Sequence, residues 1–571
     1  MRKEMRIPLI VFIITLIICS YAIADDTRTS GLFTYKLKGN GTITIVDFDW
    51  ANNSGDIYIP TMLDGYNLTG IGDKAFAQTY GKAEKNPTCS VNIPNTITSI
   101  GDFAFENANI TFVNIPQSVT HIGKNPFMNC KSLVQISVDP NNTTFASIEG
   151  VLYHKGNKSL ISYPLATTRN KIPSGIIEIA DYACVGCWDW RSTYFPDTLI
   201  KIGDYAFHDA GIAVTSVNLL PESVTEIGDY SFYNTNIGVF SKCYTDDYYN
   251  SSEYMKKYPT YKKLEYEKGL KKIWQEIMLY GVNVNKIGKG SFKNAHFLAS
   301  GQNEYDFHKP TIIMIFLGEV PGEEGTSQLA SIPIDAFSGI KTGTDSSKDK
   351  KGFKDGMLVY LPQKLQAIEE NAFENVNTVR CLSGTHIDTV KRNAFQNTRT
   401  TGSLTVDTCE PYSFSKINSE FSKWKMSDLT ISLNYSAIPD HAFDGSMLSL
   451  KVENRLDSVG DYAFFNSAVT QSTKGYAKLG AHAFDGANLP SALEIPNFLS
   501  EIGECAFANN PNLLELTLPE SVSLIGDNAF DKTIIKLTVS KGSYAEFWAQ
   551  ENGYSYKYAD GGEGSLDWLN N

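Results

Sequence analysis

A chain of 571 residues exceeds the size at which a single hydrophobic core stops growing, so it must form several domains or grow by repetition. The composition, 42% hydrophobic and 20% charged, is that of a folded protein and excludes a wholly disordered chain. The net charge of -13 argues against a nucleic-acid partner, because neutralising phosphates requires clustered Lys and Arg.

The N-terminus has the pattern of a secretory signal. Basic residues precede an apolar run over 7–18, and an Ala-Ile-Ala site follows that ends at Ala24. The apolar run is too short to span a bilayer as a mature anchor. We expect residues 1–24 to be removed by cleavage after Ala24, which places the mature protein outside the cell or on its surface. The alternative is a lipid anchor on Cys19.

Residues 25–65 are predicted to form an N-terminal β cap. The segment from Leu32 to Phe48 alternates apolar and polar residues and carries Gly-Asn-Gly at its centre, which is typical of a β-hairpin. A repetitive fold needs such a cap because its first coil would otherwise expose an unpaired sheet edge.

One short phrase then recurs along the chain. It reads IGDYAF at Ile202–Phe207, IGDYSF at Ile227–Phe232 and VGDYAF at Val459–Phe464. Most repeats are separated by about 20 to 29 residues, which is typical of a solenoid whose coils stack on one another. Alignment on the last residue of the phrase gives Phe76, Phe105, Phe127, Cys184, Phe207, Phe232, Phe292, Phe337, Phe373, Phe395, Phe414, Phe443, Phe464, Phe484, Phe507 and Phe530.

Each full repeat begins with a short alternating strand, such as SVNIP at Ser90–Pro94 or FVNIP at Phe112–Pro116, which the Pro ends. Ile-Gly is predicted to form a tight corner that needs the conformational freedom of Gly, and the following Asp to cap a short helical turn. Ala and Phe are predicted to be buried. The sequence therefore predicts a β-rich solenoid of the α/β leucine-rich repeat type, a right-handed coil of short parallel strands with short helical or 3-10 turns, capped at both ends.

The fixed order of Ile-Pro, Ile-Gly and Ala-Phe resembles the BspA-like leucine-rich repeat family of secreted and surface proteins. The resemblance covers most of residues 66–533. Residues 141–164 resemble the family's longer, hairpin-bearing coil, and residues 540–559 resemble its terminal cap. The pattern is interrupted at 244–330 and at 341–356.

An internal echo of the terminal cap at 243–264 predicts two repeat arrays. The first array covers 66–264, and the second covers 265–559 with its C-terminal cap. A flexible tail follows at 560–571. Apolar residues at helical spacing over 267–281 predict a connecting helix between the two arrays.

No catalytic constellation is recognisable in the sequence, so we predict no enzyme, no cofactor and no metal site. The Cys-Val-Gly-Cys pair at Cys184 and Cys187 suggests a redox motif or half of a zinc site. Since Cys184 occupies a Phe position of the repeat, a buried packing cysteine is the alternative. His441 and His482 precede Ala-Phe and are interpreted as tolerated surface positions.

Trp188, Trp190 and Tyr194 interrupt the repeat and are the candidate ligand-binding residues, because aromatic rings with a polar group often anchor protein or sugar partners. The alternative is that these rings pack against the solenoid.

The family resemblance implies a secreted or cell-surface, non-enzymatic scaffold for binding or adhesion to protein partners, such as host matrix or cell-surface proteins. The first alternative is a glycan-binding accessory surface protein. The second is an enzyme whose site lies in the irregular region 283–330. We expect no nucleic-acid partner, no small-molecule cofactor, and membrane attachment only through a lipid anchor.

Overall fold

The computed structural model describes residues 27–79, 88–167, 172–187, 190–193, 195–214, 220–221, 223–239, 275–281, 283–299, 311–317, 329–342, 356–362, 364–376, 378–415, 429–433, 436–452, 455–473, 475–561 and 563–564. The predicted signal at 1–24 lies outside these residues. None of the described helices has the length and apolar character needed to cross a membrane.

The chain divides into two compact units. Unit 1 comprises 1–170 and 176–187, and unit 2 comprises 171–175 and 188–571. The predicted boundary between the two arrays at 264/265 falls among residues outside the described part of the chain, so it stays a prediction.

Unit 1 consists of strands that pair mainly in parallel, one coil after another. One set contains, in order of pairing, Thr27–Ser30, Phe33–Leu37, Ile43–Phe48, Tyr66–Ile71, Ser99–Ile100 and His121–Ile122, with Met62–Leu63 beside Tyr66–Ile71. A second set contains Ile57–Tyr58, Cys89–Asn92, Ile110–Ile115 and Gln135–Val138. A third contains Phe145–Ile148, Val151–His154, Ser159–Ser162 and Glu178–Ile179. A 3-10 helix covers Trp50–Asn52.

Both hairpins expected in this part of the chain are present. Phe33–Leu37 pairs antiparallel with Ile43–Phe48. Val151–His154 pairs antiparallel with both of its neighbours in the third set, as a hairpin-bearing coil requires.

Unit 2 repeats the arrangement over more coils. In order of pairing, its first strand set contains Trp190–Thr193, Gly211–Val214, Asn236–Val239, His296–Ala299 and Lys341–Thr342, and its second contains Lys201–Ile202, Glu226–Ile227 and Lys286–Ile287. The third set contains Gln275–Gly281, Thr311–Leu317, Gly356–Tyr360, Thr378–Val390, Arg399–Cys409, Leu429–Leu433, Met447–Val452 and Ala468–Thr473, with Ser331–Ile332 and Lys364–Ile368 beside them. The fourth set contains Ala437–Ile438, Leu456–Val459, Tyr476–Leu479, Glu501–Ile502 and Leu524–Ile525, and the fifth contains Ala492–Leu493, Glu515–Thr517, Lys536–Val539, Tyr556–Tyr558 and Glu563–Gly564. The α-helix Tyr544–Glu551 caps the last coils, with Ser543 as its N-cap.

The repeat register predicted from the phrase is confirmed, because all the aligned Phe side chains and Cys184 are buried. In unit 1 the rings of Phe76 and Phe105 stack at 4.7 Å between centroids. In unit 2 an unbroken series of stacked rings runs from Phe207 to Phe530, with centroids 4.9 to 5.7 Å apart. The phenylalanines thus form the interior spine of each unit.

The glycine of the phrase has a different role from the one expected. Gly101 and Gly480 are not in the left-handed region of backbone space, so they are not required for an unusual φ. A Cβ atom on Gly480 would instead lie 2.6 Å from the backbone nitrogen of Asp461 in the preceding coil. The glycine is therefore needed for close approach between coils. The left-handed residue is the one before Ala-Phe, for example Tyr205 and Tyr462.

The aspartate of the phrase does not cap a helical turn in its own coil. The turns are hydrogen-bonded but not helical, and the Asp102 carboxylate accepts a hydrogen bond from the backbone N–H of Lys124 in the next coil, at 2.8 Å. Asp204 and Asp229 are related in the same way, with Asp229 donating its backbone N–H to Asp204 at 2.8 Å. The aspartates therefore join successive coils.

The predicted connecting helix at 267–281 is wrong for its described part. Gln275–Gly281 is a strand, paired in parallel with Thr311–Leu317. Ile277 and Leu279 lie two residues apart, a spacing that fits the alternation of a strand, and the neighbouring strand supplies hydrogen bonds along the whole length. The rings of Phe232 and Phe292, which precede and follow this strand in the chain, stack on each other with their centroids 4.9 Å apart.

Candidate binding faces

The predicted ligand-binding residues lie at the margin of the described structure. Trp190 is the first residue of the strand Trp190–Thr193, which pairs in parallel with Gly211–Val214. Its side chain, together with Trp188 and Tyr194, is outside the described residues. Their role in ligand binding stays a prediction.

A second candidate face is fully described, and it lies on the four-stranded parallel sheet of unit 1. Successive side chains of a strand point to opposite sides of the sheet. The inward side carries Ile57, Val91, Val113 and Ile136, which lie side by side in the register and are buried. The residues between them therefore form an outward face that is free to contact a partner.

The outward face consists of two rows of side chains. Tyr58, Asn92, Asn114 and Ser137 form one row across the four strands. In the other row, Phe112 lies level with a serine on one neighbouring strand and a glutamine on the other. From the strand spacing, Tyr58 and Phe112 lie about 12 Å apart, close enough for one partner to cover both.

Both aromatic side chains on this face are exposed to an unusual degree for their size. Tyr58 is 69% exposed and Phe112 is 50% exposed. Apart from Asp56, the side chains next to them in the register are amides and hydroxyls, so a partner would meet a surface with little charge. We call Tyr58, Asn92, Phe112 and Asn114 the amide–aromatic face.

A carboxylate borders the amide–aromatic face. Asp56 accepts a hydrogen bond from the backbone N–H of Ser90 at 2.7 Å. That hydrogen bond lowers the pKa of Asp56 below its ordinary value, so the carboxylate stays charged. On the inward side, burial raises the pKa of the Cys89 thiol to about 11, which leaves it without nucleophilic character.

The sequence interpretation did not identify the amide–aromatic face, although the signal was present. In the segment FVNIP, the side chains of Val113 and Ile115 point to the buried side of the sheet. Phe112 therefore points to the solvent side, where the equivalent strand carries Ser90. Phe112 shares this side with the exposed Tyr58, and apolar surface grouped on one face, unlike a single exposed ring, is typical of a contact surface.

Unit 2 carries a ladder of stacked rings on its surface, formed by Tyr412, His441, Tyr462 and His482. Successive centroids are 4.6, 4.9 and 4.6 Å apart. The two histidines, interpreted from the sequence as tolerated surface positions, are thus partly buried members of one structure. Since the inner rings, His441 and Tyr462, are covered on both faces, only their edges remain available to a partner.

A carboxylate supports each histidine of the ladder. His441 Nδ1 lies 3.2 Å from Asp444 Oδ2, and His482 Nδ1 lies 2.7 Å from Asp485 Oδ2. Burial raises the pKa of Asp444, and its hydrogen bond with His441 opposes that increase.

The Cys184 and Cys187 pair is part of the interior. Both side chains are buried. Burial, reinforced by a hydrogen bond with Cys187, raises the pKa of the Cys184 thiol well above its ordinary value. Cys184 thus packs where other coils place Phe, and this environment does not favour a reactive thiolate.

Coils of parallel strands around a series of buried phenylalanines define this molecule as a leucine-rich repeat protein. The family model described as the BspA type leucine-rich repeat region, in 6 copies, matches residues 48–150, 157–300, 357–470 and 415–536. These segments make up more than half of the chain, and the chain belongs to this family.

Several solved structures are similar in fold. A leucine-rich repeat protein from Eubacterium ventriosum is 15% identical, with 65% of this chain and 88% of that chain covered and a TM-score of 0.33. The pneumococcal vaccine antigen PcpA is 17% identical, with 63% and 94% covered and a TM-score of 0.32. A leucine-rich repeat protein from Bacteroides ovatus is 15% identical, with 93% and 99% covered and a TM-score of 0.31. Comparison with curated protein sequences gives no match.

Proposed function

We propose that this protein is a secreted or cell-surface scaffold without enzymatic activity, which binds protein partners through the amide–aromatic face of unit 1. Leucine-rich repeat proteins generally bind protein partners and are generally non-enzymatic. The predicted signal at 1–24 supports secretion, and a secreted binding scaffold is suited to adhesion.

The observation that supports this proposal best is the exposure of both Phe112 and Tyr58 on one side of the same sheet. Phe112 is 50% exposed on a strand whose repeat equivalent is a serine. Removing such a ring from water on binding stabilises a complex by about 2 kcal/mol, and aromatic side chains dominate the energetics of protein interfaces. The parallel sheet holds the backbone of Phe112 in place, so little backbone conformational entropy is lost when a partner binds.

A glycan partner is a second candidate, and the row of amides favours it. Asn92 and Asn114 lie next to each other in the register, with Tyr58 at the end of the row. Amides offer both donors and acceptors to hydroxyl groups, and an exposed ring offers a flat apolar surface to a sugar.

The proposal is tested by binding of the mature protein to immobilised extracellular-matrix proteins and to a glycan array. Phe112→Ala should weaken the binding of the recognised partner by at least about tenfold, because the complex loses an aromatic anchor that the partner covers. Tyr58→Ala should have an effect in the same direction. Signal on the matrix proteins identifies a protein partner, and signal on the array alone identifies a glycan.

Phe547→Ala is the matched control, since Phe547 is a ring that is 59% exposed on the C-terminal cap of unit 2. This variant should bind as the wild type does. If Phe112→Ala and Tyr58→Ala both leave binding unchanged while Trp188→Ala or Trp190→Ala abolishes it, the partner contacts the other candidate face and the present assignment is wrong.

A further inference from the structure

Three metal-ligating side chains meet on two neighbouring strands of unit 2. His386 and Asp388 belong to Thr378–Val390, and Asp407 belongs to Arg399–Cys409. The pairing of Ile387 with Val406 sets the register between these strands and places Asp388 level with Asp407. Because Ile387 and Val406 are buried, the residues on either side of them point outward together.

The donor atoms of the three side chains are close together. One from each lies within 4.8 Å of the others. His386 Nε2 is 2.9 Å from Asp407 Oδ2 and 3.9 Å from Asp388 Oδ1. The side chains are 41%, 43% and 41% exposed, which leaves room for water molecules to approach the cluster.

The environment of the His386 Nε2 atom is a second, independent observation that supports a metal site. This nitrogen is shielded from solvent and makes no hydrogen bond of acceptable geometry. It lies 2.9 Å from Asp407 Oδ2, within the distance of an ion pair, but the two atoms do not form a directed hydrogen bond. A shielded ring nitrogen with no directed partner costs free energy unless something else occupies its lone-pair direction.

The distances fit donors that share a metal ion. A divalent first-row metal binds imidazole nitrogen and carboxylate oxygen at about 2.1 Å. Two donors on such an ion are about 3.4 Å apart in the tetrahedral arrangement that Zn²⁺ prefers, and about 3.0 Å apart when they lie at right angles. The 2.9 Å between His386 Nε2 and Asp407 Oδ2 and the 3.9 Å between His386 Nε2 and Asp388 Oδ1 lie on either side of the tetrahedral separation, so the three donors are spaced for one ion.

We propose that His386, Asp388 and Asp407 bind a divalent first-row transition metal ion, with Zn²⁺ as the most suitable ion. One imidazole and two carboxylates are typical ligands of Zn²⁺, whereas Ca²⁺ takes six to eight oxygen ligands. Water completes the coordination. The site belongs to unit 2, whereas the amide–aromatic face belongs to unit 1, and the site does not depend on the proposed binding function.

The test is a titration of the full, tag-free chain with ZnCl₂ by calorimetry, repeated with CoCl₂ by visible absorption. We expect one ion to bind per chain, and the affinity to fall in acid because protons compete for the imidazole. His386→Gln and Asp407→Asn should each weaken binding by at least about tenfold. Zn²⁺ should also raise the Tm of the wild type but not that of Asp407→Asn.

His441→Gln is the matched control, because His441 also lies beside a carboxylate, that of Asp444, but is not one of the three clustered ligands. This variant should bind the ion as the wild type does. Circular dichroism establishes that each variant is folded, and Asp388→Asn replaces any variant that is not. A wild-type chain without saturable uptake, or folded variants that bind Zn²⁺ unchanged, would overturn the proposal and leave an ordinary imidazole–carboxylate pair.

Discussion

The Asp461 carboxylate accepts a hydrogen bond at 2.7 Å from the backbone N–H of Ala481, the equivalent position one coil further along the chain. Asp461 in turn donates its own backbone N–H to the carboxylate of Asp440 at 2.8 Å. The side chain therefore connects coils in a way that local spacing does not reveal.

Asp461→Ala should destabilise unit 2 by about 1–2 kcal/mol, because the N–H of Ala481 loses a charged acceptor. Chemical denaturation measures the change in the free energy of unfolding. Asp461→Asn is the control, since its side-chain oxygen still accepts a hydrogen bond, and it should lose less than the alanine variant. Equal losses in the two variants would show that the hydrogen bond is not responsible.

Gly480→Ala should destabilise the protein by about 1–3 kcal/mol or more, because the new Cβ would overlap the backbone of the preceding coil. The overlap is with rigid atoms, including the nitrogen of Asp461 at 2.6 Å. Gly39→Ala is the control, since nothing lies within 4 Å of a Cβ at that position. A neutral effect of Gly480→Ala in thermal unfolding would contradict the close-approach interpretation.

Phe464→Ala should cost about 3–5 kcal/mol, because it removes a fully enclosed ring and leaves a cavity. The ring of Phe464 stacks between those of Phe443 at 5.3 Å and Phe484 at 5.0 Å. Denaturant titration followed by intrinsic fluorescence reports the loss. The exposed Phe547, truncated in the same way, should change stability by much less.

The N-terminal coils should lose stability in acid through Asp64. This carboxylate accepts hydrogen bonds from the hydroxyls of Ser30 at 2.8 Å and Tyr35 at 2.9 Å. The bond from Ser30, and then that from Tyr35, lowers the pKa of Asp64 below its ordinary value of 3.8. The stability that these two hydrogen bonds contribute is therefore fully present above pH 3.8 and is lost as the pH falls through the lower pKa of the folded state.

The measurement is the Tm of the wild type and of Asp64→Asn over a pH series. The wild type should be the more stable at neutral pH, and the difference should shrink below pH 3.8. Ser30→Ala removes the larger contribution to the pKa shift and should reduce the same pH dependence. A difference that stays constant into strong acid would contradict the role of Asp64.

The sequence was sufficient to predict the repeat register and the buried spine, because a phrase that returns at nearly constant spacing identifies equivalent positions without knowledge of the fold. Phe292 and Phe337 were placed correctly even though the intervening residues depart from the pattern. The role of Asp461 was not predictable in this way, since its partner lies in another coil and spacing within one coil does not show which neighbour is contacted.

The two candidate sites also differ in whether the sequence alone could have revealed them. Phe112 was detectable from its parity within a recognisable strand. The cluster of His386 and Asp407 was not, because neither residue lies next to the Ile-Pro or Ile-Gly marks that fix the register elsewhere. Only the pairing of their strands brings them together.

The carboxylates that link successive coils have a consequence for how such a chain evolves. The Asp204 carboxylate accepts a hydrogen bond from the backbone N–H of Asp229, and the Asp229 carboxylate accepts one in the same way from Lys289, so a joint at either of these two equivalent points is chemically complete. Recombination between the nearly identical phrases at 202–207 and 227–232 deletes or duplicates a whole coil and leaves every joint matched. Such exchanges change the length of the protein while preserving its foldability. An insertion of any other size inside the phrase would instead break the series of hydrogen bonds between coils.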